Sequence, residues 1–312
     1  CVPELVPFAS QYLRVRGVGQ PAVLVSMVVQ AGLLAQEDAL TPLQVISFAC
    51  ALNILGDLVL VPKLGAVGAA WATLLAQVAS LPLMLLLARS KGRLAIRSRR
   101  PRAHELRQLF STAAPLFFFE MGLSLCYSFI QFRASQYTVT STAAFQALWA
   151  PMGVLAFSTY PLKQAAQVFL PRMTREGLQE VGGRLKTKEF LKVLAGISVQ
   201  AGSLLAITAV LLARSPQLFS SDQTLHALIK SFAPYVAAIF PVLGMAQACE
   251  GLLAGVGDLK FLSLMQVGNV LASLGCLAAT KSLGMGVHAT WLIWLVFVVA
   301  RLVQGLARVL AL

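Results

Sequence analysis

The sequence predicts an all-α, polytopic membrane protein. Of its 312 residues, 58% are hydrophobic and only 12% are charged, about half the charged share of an ordinary soluble domain, which is roughly 25%. Nine apolar runs are long enough to cross a bilayer, which takes about 20 residues in a helix. The formal charge of +13 gathers in the connections between these runs, so membrane lipid is expected as a partner and nucleic acid is not.

The predicted spans follow one another with short connections. In order they cover residues 12–34, 42–61, 66–88, 108–136, 143–170, 188–213, 229–254, 260–280 and 285–310. Thr41 and Pro42 are expected to open the second span as N-cap and first helical residue, and Asp258 to cap the eighth. Five prolines fall inside apolar runs and mark helices that we expect to be bent, namely Pro115, Pro151, Pro161, Pro234 and Pro241.

The distribution of basic residues predicts the orientation of the chain in the membrane. Residues 89–107 carry eight basic residues and one acid, and residues 172–192 carry six basic residues. Loops rich in lysine and arginine remain on the cytoplasmic or stromal side, and nine spans would put the chain ends on opposite sides. The long polar stretch 89–107 is interpreted as a linker between an N-terminal bundle of three helices, residues 1–88, and a C-terminal bundle of six, residues 108–312.

An internal repeat supports this division. The segment Gly32–Ala35 followed by Asp38 recurs as Gly251–Ala254 followed by Asp258, and Leu64-Gly65 with Val67, Ala69 and Trp71 recurs as Leu283-Gly284 with Val287, Ala289 and Trp291. The offset is 219 to 220 residues throughout, as in transporters built from parallel repeats. The second copy has three more helices than the first, so we expect three helices ahead of Cys1 and twelve in the whole protein.

Asp57 is the first candidate functional residue. It lies one helical turn after Asn53 and therefore on the same helix face, and Thr73 lies at a similar depth if the two helices form a hairpin. A carboxylate in an apolar helix is a functional hypothesis by default, because its burial is costly. The three residues predict a cation or proton site. The alternatives are an Asp57 that reaches headgroup water, an Asn53 that joins helices and a Thr73 that bonds its own helix.

Two further acids lie in apolar runs. Glu120 is expected near the bilayer centre, either as a protonatable cavity residue or paired with Lys163 or Arg133. Glu250 is placed near the basic-side end of its span, so we expect it to reach water and to act structurally.

Polar residues of the fifth span predict a cavity wall, with helix–helix contacts as the alternative. They are Gln146, Lys163, Gln164 and Gln167. The five cysteines form no CxxC pair, and no nucleophile–base arrangement is visible. We therefore expect no disulfide, metal site, cofactor or catalytic residue, and no enzyme.

Several motifs together resemble the multidrug and toxic compound extrusion (MATE) family. They are Tyr12-Leu-Arg14, Gly19-Gln-Pro21-Ala22, Thr41-Pro-Leu43, Asn53-Ile-Leu-Gly-Asp57, Gly65 with Gly68-Ala-Ala-Trp-Ala-Thr73, Glu250-Gly-Leu-Leu-Ala-Gly255 and Asp258-Leu-Lys-Phe261. Two others, Pro161-Leu-Lys-Gln164-Ala-Ala-Gln167 and Trp291 with Arg301, resemble the plant and algal plastid (EDS-five-like) subgroup. The resemblance covers the family's fourth to twelfth helices.

The resemblance implies a function and a set of site residues. Asn53, Asp57 and Thr73 match three residues of the cation pocket in one branch of the family, and Phe118-Phe119-Glu120 matches the coupling glutamate of another branch. That glutamate is not typical of the plastid subgroup, so the chain departs from one of the two patterns. The implied activity is export of small organic compounds in exchange for H⁺ or Na⁺ by alternating access, by a monomer in the plastid envelope.

Two other functions stay open at this point. A lipid-linked oligosaccharide flippase of the same superfamily would need cations in mid-membrane to hold a pyrophosphate, and only Lys163 and Arg133 are candidates. A degenerate, non-transporting membrane protein is the other alternative.

Overall fold

The computed structural model describes residues 6–36, 38–92, 102–179 and 183–311, and within these ranges the chain is helical with no strand. The predicted all-α fold is therefore confirmed. One short 3-10 turn, Pro216–Leu218, accompanies twelve helices: α1 Val6–Val18, α2 Gln20–Ala35, α3 Leu40–Leu64, α4 Ala66–Ser90, α5 Ala103–Ala134, α6 Val139–Phe157, α7 Tyr160–Gln179, α8 Gly183–Arg214, α9 Gln223–Ser231, α10 Ala233–Gly255, α11 Leu259–Ser282 and α12 His288–Ala311.

Within these ranges, seven helices are long and apolar enough to cross a membrane: α3, α4, α5, α8, α10, α11 and α12. The pair α1 and α2 is bent by 49° and counts as an eighth span if it is taken as one. The predicted count of nine is thus not confirmed. The difference between the two counts lies in α6 and α7, which were predicted to form one span over residues 143–170.

That span is broken between Phe157 and Tyr160. Pro161 is the second residue of α7; it lacks an N–H and disfavours helical backbone at the residue before it, so it favours a break and a new helix start at this point. The Thr159 hydroxyl donates to the Ala156 carbonyl at 2.7 Å, which satisfies one of the carbonyls freed at the end of α6. The prediction of one continuous helix here was wrong.

The other prolines divide into two groups. Pro115, Pro151 and Pro241 lie inside α5, α6 and α10. Pro234 lies at the start of α10, which begins at Ala233 rather than at the predicted residue 229. The residues before it form the separate helix α9, whose N-cap Asp222 accepts from the Thr224 amide at 2.9 Å.

Both predicted helix caps differ from the structure. Helix α3 begins at Leu40, and it is Asp38 that accepts hydrogen bonds from the Thr41 amide at 3.1 Å and the Thr41 hydroxyl at 2.7 Å. Asp258 occupies the N-cap position of α11 but makes no capping hydrogen bond. Its carboxylate instead accepts from Arg308 Nε at 2.7 Å, which joins the start of α11 to α12.

The chain divides into two compact units, residues 1–100 and 101–312. The boundary falls inside the stretch predicted to be a linker. Residues 93–101 lie outside the described ranges, so the linker itself stays a prediction. In the first unit α4 packs against α1, α2 and α3. Gly65, with φ of 58°, makes the tight α3–α4 turn, and Gly68 lies directly against the Leu60 carbonyl, where no side chain would fit.

In the second unit α10 is the central helix and packs against α7, α8 and α12, while α11 packs against α5. Aromatic side chains dominate the core, including Phe145, Phe232, Phe240, Trp291 and Trp294. Glycines let the helices approach closely: a Cβ at Gly202 of α8 would lie 2.8 Å from Pro241 Cα of α10, and one at Gly251 would lie 2.8 Å from Lys163 Cα of α7.

The helix boundaries follow the offset of the sequence repeat. Leu40, which opens α3, corresponds to Leu259, which opens α11. The turns that follow these helices both contain a glycine with positive φ, Gly65 at 58° and Gly284 at 61°. The repeat is therefore a repeat of structure and not only of apolar composition.

Candidate functional site

A cavity of about 360 Å³ lies within the second unit. Its walls come from α5, α6, the first residue of α7, α10 and α12. The lining is mixed: aromatic rings and small residues form most of it, with a few polar side chains among them. The lining residues are Glu120, Leu123, Ser124, Tyr127, Gln131, Trp149, Gly153, Ala156, Phe157, Tyr160, Leu243, Gln247, Trp294 and Arg301.

The break between α6 and α7 contributes to this cavity. Phe157 and Tyr160, on either side of the break, both line it, and Gly153 and Ala156 keep the preceding turn small. Irregular backbone at membrane depth is tolerated where it is buried in protein or lines a wet cavity. The aromatic wall is packed edge to face and tilted, with the rings of Trp149 and Trp294 4.9 Å apart and those of Tyr127 and Trp149 6.2 Å apart.

Glu120 enters the cavity from α5 and pairs with Lys163 of α7. Lys163 Nζ lies 2.8 Å from Glu120 Oε1, and half of the Glu120 side chain is exposed, against 12% for Lys163. The ammonium also lies 4.8 Å from the centre of the Phe119 ring. Of the two candidate partners, Lys163 and Arg133, the structure therefore selects Lys163. Arg133 instead donates to Gln136 and lies over the Tyr137 ring.

Glu250 was expected to reach water, and the structure corrects this. Its side chain is fully buried on the central helix α10, and Arg301 of α12, 1% exposed, donates from Nε to Glu250 Oε1 at 2.7 Å. Because α10 is surrounded by α7, α8 and α12, the side chain has no path to the surface. The pair ties α10 to α12, and the structural role expected for Glu250 stays a prediction.

The cavity contains buried polar atoms that have no hydrogen-bond partner in the described part of the chain. They are Nη1 and Nη2 of Arg301, Oε1 of Gln247 and Nε1 of Trp294. All three side chains are at most 4% exposed. Buried polar groups are normally paired, and the Tyr127 side chain lies within reach of the donors of both Trp294 and Arg301.

The glutamines predicted to line a cavity lie elsewhere. Gln146 is exposed on α6, and Gln164 and Gln167 are exposed on α7; none of the three lines the cavity. The single polar stripe proposed for them required one continuous helix, and the break at residues 158–159 removes that alignment. Their part in substrate binding stays a prediction.

The first unit holds the other candidate cluster. Asn53 Nδ2 donates to Thr73 Oγ1 at 3.1 Å, and the Thr73 hydroxyl donates to the Ala69 carbonyl at 2.9 Å. A Cβ at Gly56 would lie 2.8 Å from Ala72 Cβ, so Asp57 and Thr73 are at the same depth, as the hairpin argument expected. Asp57 Oδ1 is buried and has no hydrogen-bond partner among the described residues.

These side chains could hold a hard cation or a proton. Asp57, Asn53 and Thr73 offer one carboxylate, one amide and one hydroxyl oxygen, and oxygen ligands suit hard cations. No group of three or more His, Cys, Asp and Glu side chains that could bind a metal occurs in the described ranges.

Two ion pairs lie at the ends of the repeated helices, away from the cavity. Asp38, before α3, lies 3.5 Å from Lys91 at the end of α4. Asp258, before α11, lies 2.7 Å from Arg308 near the end of α12. The two acids correspond in the repeat, so each unit closes its helical hairpin in the same way.

Sequence reasoning missed Arg301 and Gln247. Arg301 is a cation in the middle of an apolar helix, which is by itself a functional signal, and it could have been matched to Glu250, the buried acid without a named partner. Gln247 lies three residues before Glu250 and so on the same face of α10. The packing of the aromatic wall could not be read from the chain, because it depends on α5, α6 and α12 meeting.

Comparisons with known proteins agree on the superfamily. A family model described as lipid II flippase MurJ matches residues 3–157. Among curated proteins, the chain is 30% identical to Protein DETOXIFICATION 47, chloroplastic, of Arabidopsis thaliana over 99% of this chain, and 26% identical to Protein DETOXIFICATION 44, chloroplastic, of the same plant over 98%. The chain spans 57% and 58% of the lengths of these two proteins.

Solved structures have the same fold. A MOP superfamily transporter from Pyrococcus furiosus superposes with a TM-score of 0.82 at 17% identity, over 100% of this chain and 72% of that one. A MATE protein in the straight conformation gives a TM-score of 0.82 at 18% identity, over 99% and 72% of the two chains. The apolar helices and these relatives make the chain an integral, multi-pass membrane protein. The chain is therefore similar to MATE proteins and to other members of the MOP superfamily.

Proposed function

We propose that this protein is a secondary active transporter that exports small organic compounds in exchange for H⁺ or Na⁺. The observation that carries the proposal is the cavity of about 360 Å³ in the second unit, with its aromatic wall and its Glu120–Lys163 pair. Cavities of roughly 300–1,000 Å³ suit small molecules. The similarity to DETOXIFICATION and MATE proteins supports the same function.

Coupling is assigned to the two acids that can change charge. Asp57 Oδ1 has no partner in the described ranges, so it can take up a cation or a proton without first breaking a bond. Glu120 must leave Lys163 before it is free. A cation drives transport only if its binding favours one conformational state over the other, and Asp57 is proposed as the stronger coupling group.

The relatives suggest a cellular location for this protein. Two of the similar Arabidopsis proteins are described as chloroplastic, and we propose the plastid envelope as the location of this protein as well. It is proposed to act as a monomer in membrane lipid, without a cofactor other than the coupling ion.

A flippase for a lipid-linked oligosaccharide is the second candidate, because the family model that matches residues 3–157 describes one. The cavity argues against it. A pyrophosphate needs several free cations. Among the described residues, Arg301 is the one cation that lines the cavity, and it pairs with Glu250; Lys163, which does not line it, pairs with Glu120.

Reconstituted vesicles separate these functions. The full-length protein should accelerate the flux of small organic compounds when a H⁺ or Na⁺ gradient is imposed, and the acceleration should disappear when an ionophore collapses the gradient. Flipping of a fluorescent lipid-linked oligosaccharide without any gradient-driven flux would favour the flippase. If neither activity is found, the result favours a degenerate, non-transporting membrane protein.

A further inference from the structure

A second, much smaller cavity lies between α11 and α12 in the second unit, with a volume of about 10 Å³. Asn269, Ala272, Ser273 and Cys276 line it from α11, and Ile293 is among the α12 residues opposite them. None of the described residues that line it is charged. The cavity shares no lining residue with the aromatic cavity, so the proposed transport function leaves it unexplained.

The internal repeat relates this cavity to the candidate cation pocket of the first unit. Three pairs of residues correspond: Asn53 with Ala272 and Asp57 with Cys276 at the offset of 219, and Thr73 with Ile293 at the offset of 220 that Trp71 and Trp291 share. All three counterparts in the second unit line the small cavity. The second unit therefore keeps the position of the pocket and lacks its carboxylate.

The polar groups of the cavity are acceptors whose donors are already engaged. Asn269 is 1% exposed and Ser273 is 5% exposed. Asn269 Nδ2 donates to Gln266 Oε1 at 3.4 Å, and the Ser273 hydroxyl donates to Cys126 Sγ at 3.5 Å. Asn269 Oδ1 is buried and has no hydrogen-bond partner in the described ranges. The lone pairs of Asn269 Oδ1 and Ser273 Oγ are therefore what the cavity offers a ligand.

This arrangement selects a small molecule that donates two hydrogen bonds. Asn269 and Ser273 are four residues apart and lie on one face of α11, so a single atom with two hydrogens can bridge their oxygens. One water molecule needs roughly 10–15 Å³ and two to four polar partners. An apolar ligand would leave Asn269 Oδ1 unpaired, which is costly in a buried site.

A cation does not suit the same cavity. A buried charge without a counter-charge is costly, and the described residues that line the cavity include no acid. Cys276 stands where the first unit has Asp57, and a thiol is a soft ligand that suits hard cations poorly. The chemistry of the pocket therefore differs between the two units although its position is the same.

We propose that the small cavity holds one water molecule in place of a cation, and that this water donates to Asn269 Oδ1 and Ser273 Oγ. Of the two pockets related by the repeat, only the one at Asp57 then changes charge when it binds its ligand, and α11 and α12 provide no second coupling site. The comparison with Asp57 rests on the proposed function, whereas the water site itself does not.

The two asparagines of the chain, Asn53 and Asn269, each report on one pocket. The full-length protein is labelled with [13C,15N]asparagine in lipid vesicles, and solid-state NMR measures magnetisation transfer from water to the side-chain amides, with Asn53→Gln and Asn269→Gln to assign the signals. The Asn269 amide should receive transfer from water, and its chemical shift should not change when Na⁺ or acid is added. A dry Asn269 amide, or one whose shift follows Na⁺, would overturn the proposal.

Two filling variants locate the water. Cys276→Ile places apolar atoms in the cavity, so the Asn269 amide should lose its transfer from water. Cys50→Ile makes the same change at an exposed cysteine of α3 and should leave the transfer intact. If Cys276→Ile does not fold, Ala272→Val fills the cavity from an exposed position and should have the same effect. Unchanged transfer in a folded filling variant contradicts the assignment.

The same spectra separate this proposal from the proposed function. If Asp57 binds the coupling ion, the Asn53 signal should shift when Na⁺ or acid is added. An Asn53 signal that responds to neither contradicts coupling at Asp57 and leaves the water site standing. A dry Asn269 amide beside a responsive Asn53 amide overturns the water site and leaves the coupling site standing.

Discussion

Single polar side chains define the candidate sites of this protein, and the sequence locates them better than it pairs them. Asp57, Glu120 and Glu250 are visible as acids in apolar runs. The pairing of Glu120 with Lys163 was one of two options that could be named in advance. We predicted that Glu250 would reach water, but its carboxylate pairs with Arg301 instead. The distance of a residue from a helix end does not show how many helices surround it.

Asp38 gives a prediction about pH. Hydrogen bonds from Thr41, assisted by the nearby Lys91, lower the pKa of the Asp38 carboxyl below its ordinary value. A carboxyl with a lowered pKa in the folded state stabilises the protein above its ordinary pKa, and this stabilisation is lost as the pH falls through the folded-state pKa. Asp38→Asn should therefore lower the melting temperature at pH 7, and the difference from the wild type should shrink as the pH is lowered below the ordinary carboxyl pKa of 3.8.

The partners of Asp38 can be ranked in the same melting experiment. Thr41→Val removes the hydroxyl donor that contributes most to the shift, whereas Lys91→Gln removes a smaller contribution. At pH 7 the threonine variant should be the less stable of the two. A larger loss in the lysine variant would show that the ion pair, and not the hydrogen bond, holds the carboxylate.

Helices were predictable where apolar runs are bounded by glycine or by charge, and less so where prolines interrupt them. The internal repeat indicated that α3 and α11 are equivalent helices, because each is followed by a turn with a glycine of positive φ, Gly65 or Gly284. Residues 143–170 were taken as one span, since a proline in an apolar run can either bend a membrane helix or start a new one. Only the packing of α7 against α10 decides between these outcomes.

The contact between α7 and α10 yields a prediction about helix packing. A Cβ at Gly251 would meet the Lys163 backbone and lie 2.8 Å from Ala166 Cβ, so Gly251→Ala forces the two helices apart and should cost about 1–3 kcal/mol of stability. Gly268→Ala on α11 is the control, because no heavy atom lies within 4 Å of a Cβ there. The measurement is the denaturation midpoint of both variants in the same detergent, and equal midpoints would show that the contact is loose.

The topology of the whole molecule depends on whether α6 and α7 cross the membrane once or twice. Residues 98 and 222 are separated by α5, the α6–α7 pair and α8. If the pair is one broken span, three crossings put these residues on opposite sides, with Ser98 on the cytoplasmic or stromal side because of the basic residues around it. Two crossings by the pair would put both on the same side.

Cysteine labelling measures this. Single cysteines at Ser98 and at Asp222, in a background without native cysteines, should react with a membrane-impermeant maleimide from opposite sides of sealed vesicles. Labelling of both from one side would contradict the broken-span topology. Composition alone predicted the fold class, and the loop charges predict an orientation that the labelling tests. The number of crossings could not be fixed from the sequence, because α6 and α7 are each marginal as spans.

The central claim is that a cation bound at Asp57 drives export, with Glu120 in a lesser role. The direct measurement is the initial rate of gradient-driven flux in vesicles containing the wild type, Asp57→Asn, Glu120→Gln or the control Asp222→Asn, an acid that only caps α9. The account predicts wild-type flux in the control, partial loss in Glu120→Gln and no gradient-driven flux in a correctly inserted Asp57→Asn protein. Wild-type flux and pH profile in Asp57→Asn, with none in Glu120→Gln, would contradict it.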